Sequence, residues 1–313
     1  RKLQVQLITK DDQSTPAQAL VALEKLAVEE NVDAVLVLSG SKTMLAITEV
    51  ADRYRVPIVS TLSSHPGITE TNWVNQIIFD DEAQGTVAAL FVMDELLIER
   101  SAVVWDGDDP HSKELAASFK RTYQEAGGTV LSIDISGRKD DSQSIVNQLK
   151  NNAIEFVYLP VEVGSVVDFE LGGRDAGYNP QGMVSDGILS QMMLGYRDNL
   201  DLLDGLLATD IFTGEIQLSE FGNSVKDNLK RQFHTPATTL TALGCEGGQV
   251  VLTAIARCGK NPQNECINRM IRSGNKFEGV LEPFTIDLDG KAQRPVYINK
   301  ITNEQLRFLL KVN

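Results

Sequence analysis

The chain reads as an α/β protein built from two doubly wound parallel-sheet domains. Three observations point there. Short apolar runs rich in β-branched residues alternate with amphipathic stretches almost to the C-terminus. The runs are apolar on both faces, as strands buried in a parallel sheet are. At 313 residues the chain is long enough for two domains of ordinary size.

The elements follow in order. Leu3–Thr9 reads as a strand. Ser14 or Thr15 then caps a helix with Pro16 in its first turn, running to about Glu30 with Leu20, Leu23 and Ala27 on its apolar face. The stretch VLVLSGSKTMLAITEVADRYRVPIVSTLSSHPGITE, residues 35–70, reads strand, loop, helix, strand, loop, with strands at Val35–Leu38 and Pro57–Val59. A helix from about Glu82 to Glu99 follows. Five further strands are placed at Ala102–Trp105, Val130–Ile133, Phe156–Leu159, Met183–Val184 and Leu206–Thr209. Helices at Lys113–Ala126, Asp141–Asn151, Val163–Ala176 and Leu189–Tyr196 lie between them, which completes one doubly wound domain. Helices Glu220–Phe233 and Leu240–Arg257 come next. The tail changes character, with Phe284–Leu288, the turn pair Asp289-Gly290 and Pro295–Ile301 reading as a hairpin.

Composition narrows the function classes. Net charge is −14 with no Lys/Arg cluster, which argues against nucleic acid and anionic membranes as partners. No run approaches the roughly 20 apolar residues that span a bilayer. Three histidines without paired His/Cys spacing argue against a metal centre. No cofactor loop, nucleophile elbow or triad spacing is present, and GGRDAG at 172–177 is not a dinucleotide fingerprint. Cys245 reads as buried and inert. Cys258 and Cys266 flank the polar loop CGKNPQNEC and are either a local bridge or two free thiols.

Ligands of open α/β sheets bind beyond the carboxyl ends of the strands. After two of the early strands the chain turns into hydroxyls, Ser39-Gly40-Ser41 and Ser60-Thr61 with Ser63-Ser64. Hydroxyls beside free helix N-terminal amides suit a small anion such as a carboxylate. Carboxylates stand at three later strand ends, Asp106, Glu162 and Asp186. Facing the hydroxyls, they suit a ligand ammonium, and together the two sets suit a zwitterion. Asp108 and Asp109 read as a solvated turn, with Ser112 capping the next helix. His65 and His111 are loop histidines near the same strand ends.

The segments RKLQVQLITKDDQSTPAQAL, VLSGS, VPIVSTLSSHPGIT, DDPHSKELAASF, VYLPVEVGS, RDAGYNPQGMVSDG, LGCEGGQVVLTAI and FEGVLEPFTIDLDGKAQRPVYI, in this order, resemble a type I periplasmic binding protein of the branched-chain amino-acid group that serves ABC transporters. The resemblance covers essentially the whole chain. It implies two lobes joined by three crossovers near Arg100, Thr238 and Pro295, with residues 1–100 plus 239–294 in the first and 101–238 plus 295–313 in the second. It implies a ligand in the cleft between them, no enzymatic activity and no cofactor, an ABC-transporter permease as partner, and a periplasmic or extracytoplasmic location with any signal peptide removed. A secreted family favours the Cys258–Cys266 bridge, worth about 2.6 kcal/mol for so short a loop. Family members also carry a leading strand and helix ahead of Arg1, and their absence implies an unfilled position in the first sheet.

Carried over position by position, Ser41 and Ser64 match hydroxyls that hold the ligand carboxylate. Leu62 matches a backbone contact, Asp106 a carboxylate on the second lobe, and Asp186 the acid that binds the α-ammonium. Glu162 stands where Tyr is common, and His111 where Tyr or Gly usually leads the helix. Asp186 is shorter than the usual Glu. These departures point away from leucine, isoleucine and valine, towards another amino acid or a small amine or amide. The alternative reading is a ligand-sensing domain of the same fold for amides or aromatic acids.

Overall fold

The computed structural model describes residues 4–137, 141–213 and 215–313. The chain forms two compact units and passes between them three times. One comprises Arg1–Asp80 with Gln217–Arg294, the other Asp81–Ile216 with Pro295–Asn313.

In the first unit, α1 (Pro16–Glu24) starts where Thr15 accepts the Gln18 amide and Pro16 supplies a preset φ. It continues through a π-helical turn at Lys25–Glu29. Strands β1 (Val35–Val37), β2 (Ile58–Ser60) and β3 (Val74–Gln76) form a parallel sheet in that order, with Val35 opposite Ile58 and Ile58 opposite Val74. Helix α2 (Ser41–Tyr54) connects β1 to β2 and packs Met44, Ile47 and Ala51 with Leu23 and Trp73. The β3 strand was not expected from sequence. Its polar residues Asn75 and Gln76 break the apolar pattern, yet both are fully buried.

The expected strand at Leu3–Thr9 is not formed. Leu3 lies outside the described residues, and 4–9 have no regular structure. Val5 and Leu7 are exposed, so alternation alone does not make a strand without a pairing neighbour.

The C-terminal part of this unit adds α8 (Glu220–Phe233), α9 (Thr239–Arg257) and α10 (Asn264–Ile271). A small antiparallel sheet of β9 (Lys276–Phe277), β10 (Phe284–Ile286) and β11 (Ala292–Gln293) turns at Asp289-Gly290, but β10 pairs with β11 and not with the expected Pro295–Ile301, which joins the second unit. Cys258 and Cys266 are bridged, with Cα atoms 5.9 Å apart. Cys266 sits in the first turn of α10, so only part of the segment between the cysteines is irregular. Helix α9 is long and apolar enough to cross a membrane by length and composition, contrary to the sequence reading. Here Ala242, Leu243, Val250 and Ala254 are buried, and Glu246 carries an ion pair, the pattern of a core helix.

In the second unit a seven-stranded sheet has the order β13-β12-β8-β7-β6-β4-β5. Its parallel strands are β4 (Arg100–Trp105), β5 (Thr129–Asp134), β6 (Phe156–Leu159), β7 (Gln181–Val184) and β8 (Leu207–Asp210). The antiparallel pair β12 (Val296–Thr302) and β13 (Gln305–Val312) closes one edge. Helices α3 (Asp81–Asp94) and α4 (Pro110–Glu125) cover one face with Phe119, Tyr123 and Phe156. Helices α5 (Ser142–Asn151), α6 (Val163–Ala176) and α7 (Ile188–Gly195) belong to the other core.

The unit boundaries differ from the expected lobes. Helix α3 joins the second unit because it packs along α4. Thr86 Oγ1 lies 3.2 Å from both Ser118 Oγ and Thr122 Oγ1, and Ser118 donates to the Glu82 carbonyl at 2.7 Å. Helix α8 joins the first unit, where Ser219 donates to the Gly279 carbonyl at 2.7 Å. A Cβ on Gly222 would stand 2.1 Å from the Val280 carbonyl oxygen, so only glycine permits this approach.

One ion pair ties the parts of the first unit together. Glu246 is fully buried and accepts from Arg294 Nη1 at 2.8 Å and from the Val280 amide at 2.8 Å. Arg294 also reaches the Ile77 carbonyl at 2.8 Å and lies over the Phe284 ring. Truncating one partner leaves an unpaired buried charge, which costs about 3–5 kcal/mol. Glu246→Ala is therefore expected to lower stability by that amount in urea unfolding. A loss under about 1 kcal/mol, the worth of an exposed pair, would show that the pair is not buried in solution.

Candidate functional site

The carboxyl ends of β4, β6, β7 and β8 carry the polar groups of the second unit. Parallel strands deliver them to one edge, and α3 and α4 bring their N-termini towards it. Asp186 follows β7. The next residue, Gly187, has φ +73 and N-caps α7, and its amide donates to Asp210 Oδ2 at 3.2 Å. That left-handed turn, which favours glycine, fixes where the Asp186 carboxylate stands.

Around Asp186 lie four residues: Asp81 in the first turn of α3, Gln84 one turn on, His111 in the first turn of α4, and Tyr158 in β6. Asp81, Gln84 and Tyr158 are fully buried. His111 is partly exposed, its side chain 24% accessible, and Asp186 is half-buried. Its Nδ1 lies 2.9 Å from Asp81 Oδ1. Gln84 Nε2 donates to Thr209 Oγ1 at 2.7 Å. Four buried oxygens have no hydrogen-bond partner: Asp81 Oδ2, Asp186 Oδ1, Gln84 Oε1 and Tyr158 OH. Buried polar atoms are normally paired, so four unpaired oxygens on neighbouring groups mark a place prepared for something else.

The electrostatics agree. Burial alone would lower the His111 pKa. The Asp81 charge and hydrogen bond, helped by Asp186 and Asp109, outweigh it and raise the value to about 9. His111 is therefore an imidazolium at neutral pH and donates to Asp81. Burial pushes the Asp186 carboxyl up, with the Asp81 charge adding to the shift, while His111 and Gln84 hold it down. Burial and the charges of Asp81 and Asp186 raise the Tyr158 phenol well above its ordinary value, so it stays neutral. Two acids share one cation among buried groups.

The sequence candidates fall unevenly. Asp186 stands within the cluster. Asp106 is buried at the end of β4, where its Oδ1 accepts the Asp108 amide at 3.0 Å and its own amide donates to Ser112 Oγ at 2.8 Å. Asp109, not Ser112, caps α4, with Oδ1 accepting the His111 amide at 3.2 Å. Glu162 is exposed at the N-cap of α6 and makes no side-chain capping bond. The sequence does not single out Asp81, Gln84 or Tyr158, and His111, which reads as a loop histidine, lies in the first turn of α4. The acid and amide pair Asp81–Gln84, three apart where a helix begins, was the signal available.

In the first unit, Ser41 opens α2, whose N-cap Gly40 has no side chain to cover the helix amides. Ser63 Oγ donates to Ser41 Oγ at 3.1 Å, leaving the Ser41 hydroxyl proton for another acceptor. Ser64 is buried beside them in sequence, and Leu62 is half-buried. Ser39 is diverted by a hydrogen bond to Asp12 Oδ2. Donors dominate this cluster, as acceptors dominate that of the second unit.

A pKa raised from 6.5 to about 9 means that the fold prefers protonated His111. That preference, about 3 kcal/mol, is fully present below pH 6.5 and is lost as pH rises towards 9. Urea unfolding of the unliganded protein is expected to show this loss across the window, and His111→Gln should flatten it. Parallel profiles for the two proteins would contradict the assignment.

The chain was compared with known proteins. The family model for the periplasmic binding protein matches residues 2–305. An amino acid binding protein of Pseudomonas aeruginosa is 23% identical over 232 residues, covering 72% of this chain and 60% of that one. The chain thus aligns with less than two thirds of that relative's length. A leucine binding protein of Thermotoga maritima superposes with a TM-score of 0.88 at 24% identity, over 97% of this chain and 86% of that chain. A solute binding protein of an ABC transporter from Rhodopseudomonas palustris, in complex with 3,4-dihydroxybenzoic acid, gives 0.85 at 16%, over 98% and 86%. With the strand order, the strand-end polar clusters and the family match over nearly the whole sequence, the chain belongs to the periplasmic binding protein family.

Proposed function

We propose that the protein is a non-enzymatic, extracytoplasmic solute-binding receptor that passes an amino acid, or a related solute bearing an amine and a carboxylate, to an ABC-transporter permease. One observation carries the amine: the Asp186 carboxylate, partly buried, with Oδ1 unpartnered among further buried acceptors. Desolvating such a group is costly unless a positive charge arrives with the ligand. The hydroxyls of Ser41 and Ser64 beside the uncapped start of α2, with the backbone at Leu62, suit a carboxylate. Asp106 supports the turn that presents α4, and Glu162 supplies negative potential from the start of α6. Relatives that bind amino acids support the reading.

A second reading is an aromatic acid as ligand. The His111 imidazolium, a cation within the cluster, and the dihydroxybenzoate-bound neighbour favour it. Thermal-shift and native mass spectrometry screens against amino acids, amides, polyamines and aromatic acids separate the two. Amino acids are expected to stabilise the protein. A response confined to aromatic acids would overturn the amine assignment.

Two substitutions sharpen this with whichever amino acid responds. Asp186→Asn keeps shape and removes charge, so calorimetry should show a loss of about 2–4 kcal/mol in binding with unfolding stability kept or raised. Ser64→Ala should weaken binding by about 1–3 kcal/mol with an unchanged circular dichroism spectrum. Unaltered affinity in either variant would remove that residue from the site.

A further inference from the structure

Asp81, not foreseen from the sequence, offers more than a partner for His111. Its Oδ1 is taken by the imidazole, while Oδ2, in a fully buried side chain, has none. Asp186 Oδ1 and Gln84 Oε1 are likewise unpartnered acceptors, and Tyr158 OH stands with them. A primary ammonium group has three donors, and three acceptor oxygens are vacant here. A quaternary ammonium would lack donors for them, and a neutral amide would leave the two acids without a second cation.

We propose, resting on the amine-solute reading, that Asp81 and Gln84 complete a receptor specific for a primary ammonium, and that the arriving ammonium weakens the hold of Asp81 on the His111 proton. The ammonium enters with its charge intact against Asp81 Oδ2, Asp186 Oδ1 and Gln84 Oε1, while the imidazolium keeps Nδ1–H on Asp81 Oδ1. The two acids then face two cations.

The groups facing His111 couple the two cations. Asp81 faces it from α3, Asp186 from the end of β7 and Asp109 from its own helix N-cap, and Tyr158 of β6 remains neutral beside them. The unliganded pocket has its cation already. A second cation on the same carboxylate repels the first and lowers its proton affinity. A solute with a primary ammonium is thus favoured over the same solute alkylated at nitrogen, and its affinity rises with pH until His111 is neutral in the unliganded protein.

The test needs no knowledge of the natural solute. The protein has only three histidines, His65, His111 and His234, so imidazole NMR titrations are assignable with His111→Asn as reference. The whole chain is titrated in methylammonium chloride and in tetramethylammonium chloride at equal, high ionic strength. In methylammonium the His111 midpoint is expected to fall by about one pKa unit, a tenfold loss of proton affinity, relative to tetramethylammonium. His65 and His234 should titrate alike in both salts. Equal His111 midpoints in the two salts would overturn the proposal. In Asp81→Asn the difference between the salts should vanish, and a full difference there would overturn the role of Asp81. A methylammonium response with no amino-acid binding would support this receptor and remove the amino-acid reading. Amino-acid binding without a methylammonium response would do the reverse.

Discussion

Two carboxylates packed against a neutral phenol, with one fixed cation between them, set the terms for the second unit. A carboxylate taken from water is costly, and the charge of a single imidazolium does not satisfy two of them. The rest of the pocket can be understood as what makes this tolerable. Asp81 lies in the first turn of α3, where the helix dipole favours negative charge. Gln84 is held by Thr209 of β8, and Gly187 turns the chain so that Asp186 is supported from Asp210. Tyr158 is locked in β6 by its stacking on Phe119, 4.8 Å between ring centroids. These supports come from different strands and helices and leave Asp81 Oδ2, Asp186 Oδ1 and Gln84 Oε1 unpartnered.

The fold explains why those groups meet. In a parallel sheet every strand ends at the same edge, and the helices that follow begin there. Strands β4, β6, β7 and β8 are neighbours in space although distant in sequence. The edge therefore collects Asp106, Tyr158, Asp186 and Asp210, while the starts of α3 and α4 supply Asp81 and His111. Stability and binding oppose each other here. The apolar cores on both faces of the sheet hold a site whose unpartnered buried acceptors lower its stability.

Much of this architecture was legible in the sequence, and the exceptions have physical causes. Apolar runs at Phe156–Leu159 and Val163–Ala176 match β6 and α6 residue for residue, because both elements are governed by their own burial pattern. The run at Leu3–Thr9 had the same pattern but no strand beside it, and pairing is a tertiary property. Strand β3 was hidden because Asn75 and Gln76 are polar, although Asn75 is satisfied by Ile58 and Asn268. Within the site, Asp186 was readable as an acid at a strand end. Tyr158 was not, since an aromatic in an apolar run reads as core. Asp81 reads locally as an ordinary helix start, and only the approach of α4 turns it into half of an ion pair. Glu162 and Asp106 show the converse: similar positions at strand ends, but one exposed and one absorbed by its own turn.

The central claim is that the buried acids exist to hold a solute's ammonium. The most direct measurement is a crystal structure of the protein with the solute it retains through purification. The account predicts an ammonium nitrogen within hydrogen-bonding distance of Asp81 Oδ2 and Asp186 Oδ1. A bound solute without an amine, or one whose nitrogen lies elsewhere while water fills those positions, would contradict it.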